Sequence, residues 1–235
     1  MIQKVPVITI DGASGTGKGV VTRLIAKKLG WHFLDSGVLY RVLALASVKH
    51  GISEKDEQAL CLLAQDLDVR FISHEPWEIP RILLEGQDVT QAIRTEKMGN
   101  LASIVGELSN VRQALLDRQR AFREPPGLVT DGRDMGTVIF PDASVKIFLT
   151  ASIEERARRR RLQLKEQGID VNLAALVGEL SLRDQRDQQR TVAPLRQAPD
   201  GIRIDTDQMT IEEVVNQILS EAHKVFPELS LGNST

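Results

Sequence analysis

The chain opens on a nearly unbroken apolar run, Val5 to Ile10, that stops at Asp11, the pattern of a central strand buried on both faces. A glycine-rich turn follows at once. From Lys18 onward Val21, Leu24, Ile25 and Leu29 fall on one helical stripe, and Gly30 suits the left-handed conformation that ends a helix. Trp31 to Leu34 predicts a second short strand, after which Asp35 and Ser36 precede a helical pattern through Tyr40, Leu43 and Leu45 to about His50. Between about Ser53 and Asp142 the alternation breaks. A helix is expected near Glu57 to Asp66, a β-like pair at Val69 to Ile72 and Arg81 to Leu84, and further helices through about Arg123, so much of this stretch reads as an inserted subdomain. Strand patterns return at Leu128 to Asp131, Val145 to Leu149 and Ile202 to Asp205. The expected fold class is therefore α/β, a mostly parallel sheet with helices on both faces. Glu154 to Arg190 is the most charged segment; its arginines and Gly168 predict two helical pieces around a turn, and Phe226 to Thr235 reads as a loose tail.

Composition narrows the class of partner. At 235 residues with 42% apolar content, the chain has material for one core carrying insertions. Its 30 Lys and Arg nearly balance 32 Asp and Glu, so the whole-molecule field offers no strong attraction to nucleic acid or an acidic membrane, and any anion site must be local. No apolar stretch approaches the ~20 residues that span a bilayer; no membrane or nucleic-acid partner is expected, and the location is expected to be cytoplasmic. The only cysteine, Cys61, lies in an amphipathic helical pattern, which excludes an intrachain disulfide and predicts a buried thiol. The histidines lack metal-site spacing, so a protein-built zinc site is not expected and any metal should arrive with a nucleotide.

Gly12, Ala13, Ser14, Gly15, Thr16, Gly17 and Lys18 match G-x-x-x-x-G-K between an apolar strand and a helix, the context that gives this motif meaning. Glycines let successive backbone N–H groups turn inward around an anion, the helix N-terminus adds partial positive charge, and Lys18 reaches β- and γ-phosphate oxygens. A nucleoside triphosphate is the natural guest. Where the motif wants Ser or Thr for Mg²⁺ stands Gly19, followed by Val20, and neither side chain ligates a metal. A protein contact to Mg²⁺, direct or through water, would fall to Asp35 or Asp131 at predicted strand ends, with helix capping or turn-making as the alternative role for each.

A phosphotransferase needs a second anion site that neutralises the acceptor and holds its nucleophilic oxygen in line. Arg41, one residue after Tyr40, Arg133, and Arg190 are candidates from three separate regions. Three segments carry a resemblance: D-S-G-V-L-Y-R (Asp35 to Arg41), D-G-R-D-M-G-T-V-I-F-P-D (Asp131 to Asp142), and the spaced Arg183, Asp187 and Arg190. With the loop G-A-S-G-T-G-K-G, they closely resemble the signature segments of bacterial cytidylate kinases, from about Val5 to about Ala222.

The resemblance implies transfer of the γ-phosphoryl group of ATP, with Mg²⁺, to CMP or dCMP, on a P-loop nucleoside monophosphate kinase fold. It implies a CORE (about 1–35, 124–153 and 192–225), an enlarged acceptor-binding region (about 36–123) and a short LID (about 154–191); a monomer is expected. Ser36, Arg41, Arg133 and Arg190 would surround the acceptor phosphate, with Tyr40 on the same side. Ser103, Arg112 and Asp134 would face the cytosine, whose amine donor and ring acceptors complement a carboxylate, a guanidinium and a hydroxyl. Arg183 and Asp187 would contact the sugar, and Arg159 and Arg160 would close over ATP and stabilise the transferring group. Val20 replaces a threonine common in the family loop, which puts donor affinity in question. Two alternatives stand beside this reading: a P-loop kinase for another small acceptor, and a nucleotide-regulated switch, for which no N-K-x-D motif is present.

Overall fold

In the computed structural model, residues 4–166 and 168–228 are described. Strand β1 (Val7–Gly12) is buried along its whole length. It pairs in parallel with β6 (Leu128–Gly132) on one side and β7 (Val145–Thr150) on the other. Strands β2 (His32–Asp35) and β8 (Ile202–Asp205) complete a five-stranded, all-parallel sheet in the order β2-β6-β1-β7-β8. Because neighbouring strands leave β1 in opposite directions, the carboxyl ends of β1, β6 and β2 form the crevice in which open α/β sheets bind ligands.

Helices α1 (Lys18–Leu29) and α8 (Ile211–Val225) cover one face, where Val21, Ile25, Val215 and Ile218 pack on Ile8, Ile10 and Ile147. The start of α8 is held by a capping box between Thr210 and Glu213. On the other face Leu34, Leu128, Phe140 and Val7 form a smaller cluster with Met135 and Ile139. The segment after β2 builds a second body on α2 (Ser36–Lys49), with α3 (Glu57–Gln65), α4 (Glu96–Val105) and α5 (Ser109–Arg120). A small antiparallel sheet of β3 (Val69–Ile72), β4 (Arg81–Leu84) and β5 (Gln87–Asp88) packs against it through Ile82 and Leu84. Helices α6 (Ile153–Glu166) and α7 (Leu173–Gln189) form an antiparallel pair around Ala157, Leu164, Leu176 and Leu180.

Several sequence-based boundaries move. The first strand runs on through Asp11 and Gly12 because parallel pairing continues past the last apolar residue, with Asp11 opposite Gly132 and Gly12 opposite Leu149. The second begins one residue late because the Trp31 N–H still donates to the Ala26 carbonyl of α1, at 2.9 Å. Strand β5 and a π-helical turn at Met135–Ile139 have no counterpart in the expectation. Cys61 is half-buried rather than buried, with its Sγ 3.7 Å from the Asn110 carbonyl, since α3 turns Leu60 and Ala64 inward and leaves Cys61 on the flank of that face. Phe226 is no loose tail: its ring meets Trp31 edge to face at 5.8 Å. The rest of the expected tail, 229–235, lies outside the described residues.

Candidate active site

The turn after β1 has the shape an anion requires. Gly15 and Gly17 have φ of 83° and 87°, the left-handed region that side chains resist, and Gly17 is the N-cap of α1. A Cβ on Gly12 would lie 2.5 Å from the Leu149 carbonyl, so β7 leaves room for glycine alone. Lys18, buried at the first position of α1, crosses the loop and donates to the Ala13 carbonyl at 2.9 Å, and the Thr16 hydroxyl donates to the same oxygen at 3.0 Å. Burial, and next the charge of Arg133, push the Lys18 ammonium down to about 7. Ala13, Ser14 and Gly19 complete the loop, and Val20 points largely to solvent, 43% exposed.

Across the crevice the register of β2 on β6 sets Asp35 beside Asp131. Asp35 occupies the N-cap of α2 but makes no side-chain capping bond, and one carboxylate oxygen of the buried Asp131 has no partner. Burial first, then the Asp35 charge, hold the Asp131 carboxyl well above its usual range. Among the described residues no group of three or more His, Cys, Asp and Glu side chains could hold a metal ion.

The arginines expected from separate regions converge. Arg133 donates from Nε to Asp187 at 2.6 Å, and Arg41 donates to the Ile93 and Thr95 carbonyls at 2.9 and 3.1 Å. Arg190 reaches toward the Gly106 and Asp187 carbonyls, and Arg112 donates to Gly106 at 3.0 Å and pairs with Asp134 while lying 5.5 Å over the Tyr40 ring. Burial, and next the charge of Arg133, push Arg183 down to about 9, with Asp187 opposing. Burial would raise the Asp187 carboxyl, but the charge and hydrogen bond of Arg133 outweigh it and hold that carboxyl below the usual range. Around these groups sit buried polar atoms without protein partners: the hydroxyls of Tyr40 and Ser103, Nε of Arg183 and one Nη of Arg190. Ser36 opens α2, buried, next to Gly132. Buried polar groups are mostly paired in folded proteins, so these atoms are free to meet a ligand or water.

The two α6 arginines part company. Arg160 crosses to Glu96 on α4 and feels the charge of Arg41. Arg159 spends its guanidinium on Glu155 and on the hydroxyl and carbonyl of Thr206 beyond β8, which anchors α6 to the sheet.

The sequence profile of the family described as cytidylate kinase matches residues 8–224. The cytidylate kinase of Azotobacter vinelandii is 60% identical over 215 residues, covering 92% of this chain and 94% of that one. That of Stutzerimonas stutzeri is 61% identical over 221 residues, 94% and 96% of the two chains. The chain belongs to the cytidylate kinase family. A solved structure of an uncharacterized protein from Eubacterium ventriosum aligns with a TM-score of 0.50 at 14% identity over 94% of this chain and 99% of that one, a likeness of fold alone.

Three contributors to this site escape a reading of the sequence. Arg156 donates to the Ser14 carbonyl of the loop at 3.1 Å and pairs with Asp184 of α7, which ties the phosphate loop to the α6-α7 pair. In sequence it is one arginine among several in E-E-R-A-R-R-R-R. Glu96, the partner of Arg160, is an ordinary first-turn acid. Asp11 looks like the polar end of a strand, yet its carboxylate accepts from the backbone N–H groups of Met135 and Gly136.

Proposed function

We propose that this chain transfers the γ-phosphoryl group of ATP to CMP or dCMP, giving ADP and CDP or dCDP. The observation that carries the reading is a phosphate-shaped loop after β1 together with a guanidinium cluster gathered around Arg133, just past the neighbouring strand β6, whose buried polar atoms include several without a protein partner. An acceptor phosphate oxygen bonds to the γ-phosphorus while the bond from that phosphorus to the β–γ bridging oxygen breaks, its electron pair leaving with ADP. Lys18 and the loop N–H groups hold the donor phosphates; Ser36, Arg41, Arg133 and Arg190 grip the acceptor phosphate and balance charge on the transferring group. Ser103, Arg112 and Asp134, with Tyr40 beneath Arg112, meet the cytosine, and Arg183 and Asp187 hold the sugar. Uracil would set a carbonyl against Asp134.

Mg²⁺ belongs to the same reading, and the unpaired oxygen of Asp131 beside Asp35 fits it. These two carboxylates would hold the ion, directly or through water, and when bound it would neutralise β- and γ-phosphate charge. Residues 36–123 are the acceptor-binding region and 154–191 the LID, and the Arg160 contact with Glu96 joins the two. Closure of these parts excludes water that would otherwise hydrolyse ATP. A working monomer and a cytoplasmic location, which goes with soluble nucleotide substrates, belong to the same proposal.

A coupled assay of ADP release over CMP, dCMP, UMP and AMP tests the proposal. CMP and dCMP should give the highest kcat/KM, and ADP release should depend on the acceptor. A higher kcat/KM for UMP or AMP would overturn the assigned base contacts, and slow turnover indifferent to CMP would favour a nucleotide switch.

A further inference from the structure

The π-helical turn Met135–Ile139 begins directly after Arg133 and Asp134. The first N–H groups of any helical turn lack partners within it, and the residue at the N-cap commonly spends its own side chain on them. Asp134 stands at that N-cap and makes no side-chain capping bond. Its carboxylate pairs with Arg112 instead. The N–H groups of Met135 and Gly136 donate at 2.9 and 2.8 Å to the two carboxylate oxygens of Asp11, a residue far away in sequence on β1 and directly before the phosphate loop.

We propose that Asp11 is a specificity-determining positioning residue: by capping the Met135–Ile139 turn in place of Asp134, it frees the Asp134 carboxylate to face the acceptor base.

The turn is held against β1 at a second point. A Cβ on Gly136 would approach the Thr9 hydroxyl to 2.8 Å, so the backbone seats on the strand only because position 136 is glycine. Burial pushes the Asp11 carboxyl up to about 6, against the pull of the Gly136 and Met135 N–H groups, while Asp134 adds to the rise and Lys18 opposes it. Near neutral pH Asp11 is therefore ionised with both oxygens accepting. An asparagine in its place presents one acceptor and one donor, and the donor would confront a backbone N–H. The capping demand then returns to the nearest side chain able to meet it, Asp134. Displacement of one recognition group by about an ångström is enough for rate losses of about 100-fold.

The proposal rests on the reading that Asp134 meets the base, so the experiment separates the two. Asp11→Asn, Gly136→Ala and Asp134→Asn are compared with the parent chain for kcat/KM on CMP and UMP and for KM on ATP, with folding followed by circular dichroism. Asp11→Asn and Gly136→Ala should each lower the CMP-to-UMP ratio by roughly 10-fold or more, with KM for ATP within about 3-fold of the parent. Gly136→Ala reaches the same turn without altering Asp11, and decides the matter if Asp11→Asn does not fold. Equal losses on CMP and UMP, or a matching rise in KM for ATP, would overturn the role of Asp11, as would failure of both variants to fold. If Asp134→Asn keeps full preference for CMP, the base reading itself is wrong and the role of Asp11 falls with it. Loss of preference in Asp134→Asn alone rejects Asp11 and spares that reading.

Discussion

Asp187 is the carboxylate set among Arg133, Arg183 and Arg190, and its removal should expose how the guanidinium cluster is balanced. Its side chain is 6% exposed and Arg133 is 16% exposed, with 2.6 Å between Nε and the carboxylate oxygen. At an effective dielectric constant of about 20 that separation corresponds to about 6 kcal/mol of attraction, much of it offset by the cost of burying both ions. Breaking a buried pair from one side leaves an unmatched charge, and Asp187→Ala should lose about 3–5 kcal/mol of stability. For a domain of this size the loss is a fall in Tm of roughly 6–20 °C. The distinctive part of the prediction is its reversal. Inorganic phosphate restores negative charge to the three guanidiniums, so thermal scans should show phosphate raising the Tm of Asp187→Ala more than that of the parent. Ligand at ten times its Kd is worth about 1.4 kcal/mol. A Tm within about 2 °C of the parent, or identical phosphate responses in the two proteins, would refute the reasoning.

The depressed Lys18 ammonium should appear in pH profiles: kcat/KM for ATP, which reports the free enzyme, should fall above pH about 7 as Lys18 loses its charge. Lys18→Arg should abolish that limb at whatever rate it retains, and a parent profile flat to pH 9 would contradict the assignment. The linked effect on stability has the opposite sense. An ammonium depressed by folding contributes stability that is complete above its unfolded value near 10.5 and is lost as pH falls through about 7, which urea titrations across that window can follow. Gly127→Ala tests packing away from the chemistry: its Cβ would lie 2.3 Å from the Trp31 ring, which Phe226 backs. It should cost about 1–3 kcal/mol in thermal scans, with kcat on CMP unchanged at 25 °C.

Much of the fold was written in local pattern. A strand buried on both faces is mostly apolar, so β1 and β7 stand out as runs dominated by Val, Ile, Leu and Phe, β6 shows as a shorter apolar start at Leu128 and Val129, and the glycines at 15 and 17 announce backbone geometry that other residues resist. The π-helical turn at Met135–Ile139 has no such period; it exists because Asp11 and Thr9 on another strand receive it. The exposure of Cys61 and the packing of Phe226 are not legible for the same reason, since which side of α3 faces inward and what covers Trp31 depend on partners distant in the chain. By itself the sequence determined the phosphate loop, the alternating strands and helices, and the types of charged residue available for a second anion site. Only the tertiary structure decided which charges meet. The neighbouring of Asp35 and Asp131 follows from sheet register, while convergence of Arg41, Arg133, Arg183 and Arg190 and the parting of Arg159 from Arg160 follow from how the helices pack, contacts between segments too far apart for any local spacing to relate.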